Sequence, residues 1–108
     1  MPYLLDGNKS KVELSDAIKV TRIQFSERPL IEEFSTYQFD HELINETLFT
    51  QGYRPIGVAG FSVFDVDISV LTAYIISNHV ILDVYNFWDE PRQLESTPAV
   101  YVLWIKST

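Results

Sequence analysis

The sequence contains no cysteine. That excludes a disulfide framework, a thiolate metal site and a cysteine nucleophile. Glycine is scarce, at four residues, and neither Gly-x-x-x-x-Gly-Lys-Ser/Thr nor Gly-x-Gly-x-x-Gly occurs, so the backbone cradles that hold nucleotide phosphates are absent. Basic residues are also few: 8 Lys and Arg against 15 Asp and Glu give a formal charge of −7. The imbalance is lopsided, because residues 40–108 carry nine acids against Arg54, Arg92 and Lys106 alone. A surface of that sign repels phosphate, so neither direct nucleic-acid binding nor an anionic membrane is an expected partner. No apolar run approaches the ~20 residues of a membrane span. The opening Met1-Pro2-Tyr3-Leu4-Leu5-Asp6 lacks a basic stretch followed by an apolar one, so no secretory signal is expected.

What is present is a chain of 108 residues, the length of a single domain, with residues 1–16 forming a polar, turn-rich arm. The composition suits a soluble cytoplasmic domain. An acidic surface of this kind steers towards a basic protein surface and speeds encounter; it also serves plain solubility, since −7 lies in the ordinary range of roughly 2–8.

Residues 17–25 are rich in β-branched side chains and predict a strand, with a bulge between Val20 and Ile23 where the alternation slips. Pro29 breaks this run, and residues 30–39 favour a second strand because Phe34, Thr36, Tyr37 and Phe39 are poor helix formers. Residues 41–51 predict the main helix. Asp40 suits the N-cap, Phe39 and Ile44 form a hydrophobic staple, Glu42 meets the dipole, and Gly52 can end the helix in a left-handed conformation. Beyond it lies β-structure. Phe64, Val66, Ile68 and Val70 alternate with Asp65, Asp67 and Ser69. Residues 74–88 form a hairpin turning at Ser77-Asn78, since Asn tolerates positive φ. The second hairpin strand and residues 99–106 are apolar on both faces and predict central strands. The expected fold is α+β: a curved, mainly antiparallel sheet of five or six strands with the helix packed on one face.

The stretch Leu43-Ile44-Asn45-Glu46-Thr47-Leu48-Phe49-Thr50-Gln51-Gly52-Tyr53-Arg54-Pro55-Ile56-Gly57-Val58, together with the ending Val100-Tyr101-Val102-Leu103-Trp104-Ile105-Lys106, resembles small uncharacterised bacterial and phage domains. In those a helix ends in Gly-Trp-x-Pro-x-Gly-Gly and runs into a strand. Here Tyr53 replaces the Trp, Val58 replaces the second Gly, and the strands at 64–88 are inserted. The resemblance implies a fold; it carries no reaction and no catalytic residues.

Three groups of residues bear on chemistry. Asp65-x-Asp67 places two carboxylates on one strand face, roughly 7 Å apart at ~3.3 Å per residue. With His79 or Asp83 on a neighbouring strand they would suit a hard cation such as Mg²⁺, although alternate polar residues are also the ordinary solvent face of a strand. His41 and His79 alone have unperturbed pKa values near neutrality and are the acid–base candidates; both also suit plain surface or capping roles. No cofactor is indicated. The third group is Phe87-Trp88 followed by Asp89-Glu90-Pro91-Arg92: two large aromatics at the lip of an acidic loop, the pattern of an interface anchor ringed by charge.

A single short helix cannot cover one face of so wide a sheet, which argues for a protein partner or a homo-oligomer. The leading expectation is therefore a non-enzymatic, small acidic interaction protein that docks on another protein, as immunity proteins and phage-encoded inhibitors do. Phe87, Trp88, Asp89, Glu90 and Arg92 would be its contact residues. Two other readings stand beside it. One is a ligand-binding or enzymatic domain with a pocket between helix and sheet and Asp65, Asp67, His79 and Asp83 as its polar groups. The other is a self-associating structural domain.

Overall fold

Period-two alternation runs through nearly every segment, and the computed structural model, which describes residues 3–5, 11–13, 17–44 and 46–106, is built of strands. In chain order these are β1 (Tyr3–Leu5), β2 (Lys11–Glu13), β3 (Ile18–Gln24), β4 (Leu30–Ile31), β5 (Thr36–Glu42), β6 (Tyr53–Ser62), β7 (Ile68–Ile76), β8 (His79–Asn86), β9 (Arg92–Gln93) and β10 (Ala99–Lys106). Two three-stranded sheets, β3-β10-β6 and β5-β8-β7, carry the structure, with two-stranded ribbons β1-β2 and β4-β9 beside them. Every pairing is antiparallel.

The two large sheets lie face to face and share one core. Ile23, Val100, Val102 and Trp104 come from the first sheet; Phe39, Val80, Leu82 and Val84 come from the second. This is a small β-sandwich, in which each strand gives alternate residues to the interior. Trp104 is fully buried, and its indole N–H donates to the Thr21 hydroxyl at 2.8 Å, so its one polar atom is satisfied. Its ring meets Phe49 edge-on at 5.2 Å. Fully burying a side chain of this size stabilises by about 1.5–3 kcal/mol.

The expected α+β fold is not what forms: the described residues of 41–51 hold no α-helix, only a 3₁₀ turn at Thr47–Phe49, and strands make up nearly all the rest. Residues 36–42 show why. Tyr37, Phe39 and His41 point inward while Thr36, Gln38, Asp40 and Glu42 point outward, and β5 pairs with β8 from Thr36–Tyr85 to Glu42–His79. Asp40 and Glu42, expected to cap and open a helix, are instead the polar face of a strand. A pairing across 37 to 49 residues outweighed a local capping pattern. Gly52 does adopt the left-handed conformation, φ +87, closing the 3₁₀ turn instead of a helix. The wide single sheet is likewise replaced, because its strands divide into two sheets that cover each other.

Two further expectations change. Strand β3 pairs with β10 without a register shift; Val20 simply faces outward and Ile23 inward, so no bulge is needed. Bulges fall on the edge strands instead, at Ile56 and Ala59 of β6 and at Leu71 of β7, where they disrupt an edge that could otherwise template further pairing. Phe64 and Val66 are not strand residues; β7 starts at Ile68, and both lie exposed in the loop before it. The hairpin turn at Ser77-Asn78 forms as expected, with φ values of +48 and +61. Strands β8 and β10 are the central strands of their sheets. Of the expected arm, residues 1–2, 6–10 and 14–16 lie outside the described residues.

Candidate functional site

Asn86, the last residue of β8, is fully buried and, with its neighbour Phe87, ties three loops to one end of the sandwich. Its side-chain amide donates to the carbonyls of Ile31, Glu32 and Glu90 at 3.0, 3.2 and 3.0 Å. Its carbonyl oxygen accepts from the Trp88 backbone N–H at 2.8 Å. Its own backbone N–H donates to Ser35 O, and that of Phe87 donates to Asp67 O. The turn at 32–35, the loop at 63–67 and the loop at 87–91 are therefore neighbours, although they are far apart in sequence.

Large apolar side chains crown these loops: Phe34, Phe64, Val66, Phe87 and Trp88 are all exposed, Val66 at 92%. Leu30 is exposed in the adjoining β4. Interspersed with them are Glu32, Glu33, Asp65, Asp67, Asp89 and Glu90, against Arg92 alone. Exposed apolar residues gathered in one place and rimmed by charge mark an interaction surface.

The loop is ordered by its own contacts. The Trp88 indole N–H donates to the Glu90 carboxylate at 3.1 Å, and the same oxygen lies 3.0 Å from an Arg92 Nη. The Arg92 guanidinium sits 4.8 Å from the centre of the Trp88 ring, a cation–π contact. Arg92 Nε lies 3.7 Å from Asp67 Oδ2, too long for a hydrogen bond, and has no other partner among the described residues. Tyr85 and Phe87 meet edge-on at 5.5 Å. Phe34 adopts φ +49, a strained conformation for a bulky residue. The ring it carries is exposed at this end.

The structure thus gathers Phe87, Trp88, Asp89, Glu90 and Arg92 in one ordered loop. Phe34, Phe64 and Val66 were missed as members. Only the Asp-flanked Phe64-x-Val66 carried a sequence signal, and it suggested a strand.

The cation candidates are dispersed. Asp65 Oδ1 accepts from the Asp67 backbone N–H at 2.8 Å, a local turn at the loop end. Asp83 accepts from the Thr72 hydroxyl at 2.9 Å on an outer sheet face. His79 lies at the other end of β8, about 23 Å from the loops at ~3.3 Å per residue. Among the described residues no three of His, Cys, Asp and Glu gather where a metal ion could sit. His79 Nδ1 and Asp40 Oδ1 are 2.7 Å apart, and the hydrogen bond to this carboxylate raises the His79 pKa above its ordinary value. His41 belongs to a strand, not a helix start; its ring meets Phe25 edge-on at 6.5 Å and its Nε2 lies 3.9 Å from Glu46. Tyr37 donates to Glu27 at 2.7 Å, which raises its phenol pKa.

A cleft of about 460 Å³ lies beside the 3₁₀ turn, lined by Phe49, Gly52, Tyr53, Arg54, Pro55 and Asn78. It contains none of Asp65, Asp67, His79 and Asp83, so the polar groups expected for a pocket between helix and sheet do not meet in it. Among the described residues no helix is long and apolar enough to cross a membrane. The chain matches no model of a known protein family, no curated protein and no solved structure.

Proposed function

We propose that this chain is a non-enzymatic interaction module that docks on a basic protein surface through its loop end. The observation that carries the reading is the convergence of Phe34, Phe64, Val66, Phe87 and Trp88, all exposed, among six carboxylates and one arginine. Apolar anchors supply the energy of such contacts, and a ring of like charges selects the partner and speeds its approach. The scaffold suits the task, since binding loops held on a rigid sandwich lose little entropy on docking. Action in the cytoplasm, and an inhibitory or immunity-type role, belong to this reading by composition and analogy alone.

The test is affinity capture by the tagged protein from a nuclease-treated lysate of its source, against Trp88→Ala and Asp89→Lys/Glu90→Lys. The expected result is a stoichiometric basic protein that both variants lose and that wild type releases as salt is raised. Capture unchanged by both variants and by salt would overturn the proposal.

A further inference from the structure

The two sheets divide the charge between them. Strands β3, β6 and β10 carry Lys19, Arg22, Arg54 and Lys106 and no acid. Strands β5, β7 and β8 carry Asp40, Glu42 and Asp83 and neither Lys nor Arg. In a chain of net charge −7, one sheet is purely cationic. None of its four cations forms an ion pair within 4.0 Å among the described residues.

Register places Arg22 and Arg54 of the first sheet, and Asp40, Glu42 and Asp83 of the second, on the outer faces, whereas Lys19 and Lys106 share the inward-facing row of Trp104 near the strand ends. On the first sheet Arg22, Tyr101 and Gly60 lie side by side across the strands; the next rows are Val20, Leu103, Gly57 and Ile18, Ile105, Arg54. The face is thus an apolar centre with a guanidinium at two opposite corners. Val20 is 54% exposed and Ile105 40%, and no neighbour stands within 4 Å of where a Gly57 side chain would begin, so a partner can approach the β6 backbone there. On the second sheet the rows are Glu42, His79, Ile76; Asp40, Ile81, Tyr74; and Gln38, Asp83, Thr72. Ile76 and Tyr74 are exposed along one edge; the carboxylates are Glu42 and Asp40 on the opposite edge and Asp83 on the central strand, with His79 bonded to Asp40.

We infer that the cationic outer face of β3-β10-β6 docks on the anionic outer face of β5-β8-β7 in a second copy of the chain. The first face offers Arg22 and Arg54 about exposed Val20 and Ile105, and the second offers Asp40, Glu42 and Asp83 beside exposed Ile76 and Tyr74, so the two carry charges of opposite sign and each has apolar area to cover. Pairing either face with itself brings like charges together. A free polyanion matches the guanidinium corners but leaves Val20, Leu103 and Ile105 without an apolar partner. The contact is heterologous, so copies add head to tail and form a ring or an open stack according to the rotation between them. This inference uses residues outside the loop end and stands apart from the docking proposal above.

The purified protein tests it by light scattering coupled to size exclusion at about 100 μM, with circular dichroism to confirm folding. Wild type is expected at a multiple of 12.5 kDa, dissociating as salt rises from about 0.05 to about 0.5 M. Arg22→Glu/Arg54→Glu and Asp40→Lys/Glu42→Lys are each expected to weaken association at least tenfold. Their equimolar mixture is expected to assemble again, because each reversed face then meets its complement. Should a double variant fail to fold, Val20→Glu on the exposed centre of the cationic face serves in its place and is expected to weaken association by a similar factor. A wild-type monomer overturns the inference. So does association that survives Asp40→Lys/Glu42→Lys, which would mean self-pairing of the cationic face. A mixture that stays monomeric, or assembly that requires an added polyanion, overturns it as well.

Discussion

Asn86→Ala removes the side chain that ties the loop end together. The Asn86 side chain makes four hydrogen bonds, to Ile31, Glu32, Glu90 and Trp88, in a position with no solvent exposure. At about 1 kcal/mol net for each bond, and with part-buried carbonyls regaining some water, the loss is about 3 kcal/mol. For a domain near 100 residues each kcal/mol shifts Tm by about 4–8 °C, so a fall of roughly 12–24 °C is expected. Asn86→Asp preserves the shape but places a carboxylate against three carbonyl oxygens, so at neutral pH it is expected to fall at least as far. The Asp variant should recover part of the loss in acid, where the protonated carboxyl regains one donor. Thermal unfolding by circular dichroism gives the stability. Trp88 fluorescence anisotropy reports the loop, because the Trp88 N–H is one of the four bonds. A Tm change under about 3 °C for Asn86→Ala, on the same scale, would refute the reasoning that this residue organises the end.

Two other perturbations follow from local geometry. His79 is bonded to Asp40 at 2.7 Å and its pKa is raised. The pair therefore contributes to stability below the ordinary imidazole value of about 6.5 and loses that contribution as pH rises through the raised value. An NMR titration should show His79 protonating above that ordinary value, and Asp40→Asn should return it downward; an unmoved titration in the variant would refute the assignment. At the β7–β8 turn, Ser77 and Asn78 both hold positive φ. Ser77→Asn/Asn78→Gly supplies the residues such a turn prefers and should stabilise by about 1 kcal/mol, read as a rise in Tm; an unchanged or lower Tm would speak against a turn of this type.

Local chemistry alone made several features legible. Apolar residues on both faces of 79–86 and 99–106 marked two central strands, because side chains on the neighbouring strands crowd even the outer face of a central strand, as the 4% exposure of Ile81 shows. Asn78 marked a tight turn and Gly52 a left-handed residue, because each is set by the sterics of its own backbone. Phe87, Trp88, Asp89, Glu90 and Arg92 could be picked out because they are contiguous. The helix was misread because Asp40, Glu42, Ile44 and Gly52 fit a capping pattern, whereas the alternative for residues 36–42, pairing with β8, depends on residues 37 to 49 positions away.

Tertiary structure decided what is collected from distant segments. Phe34, Phe64 and Val66 join Phe87 and Trp88 only because Asn86 bonds to the 32–35 turn and the 87–91 loop and the Phe87 N–H bonds to Asp67 O of the 63–67 loop. The division of charge is written strand by strand in the sequence, but it becomes two opposed faces only when strand order sets β3 and β6 on either side of β10 and β5 and β7 on either side of β8. Propensity and turn preference act within a few residues, whereas strand order is settled by burying Trp104, Phe39 and their neighbours in one shared core.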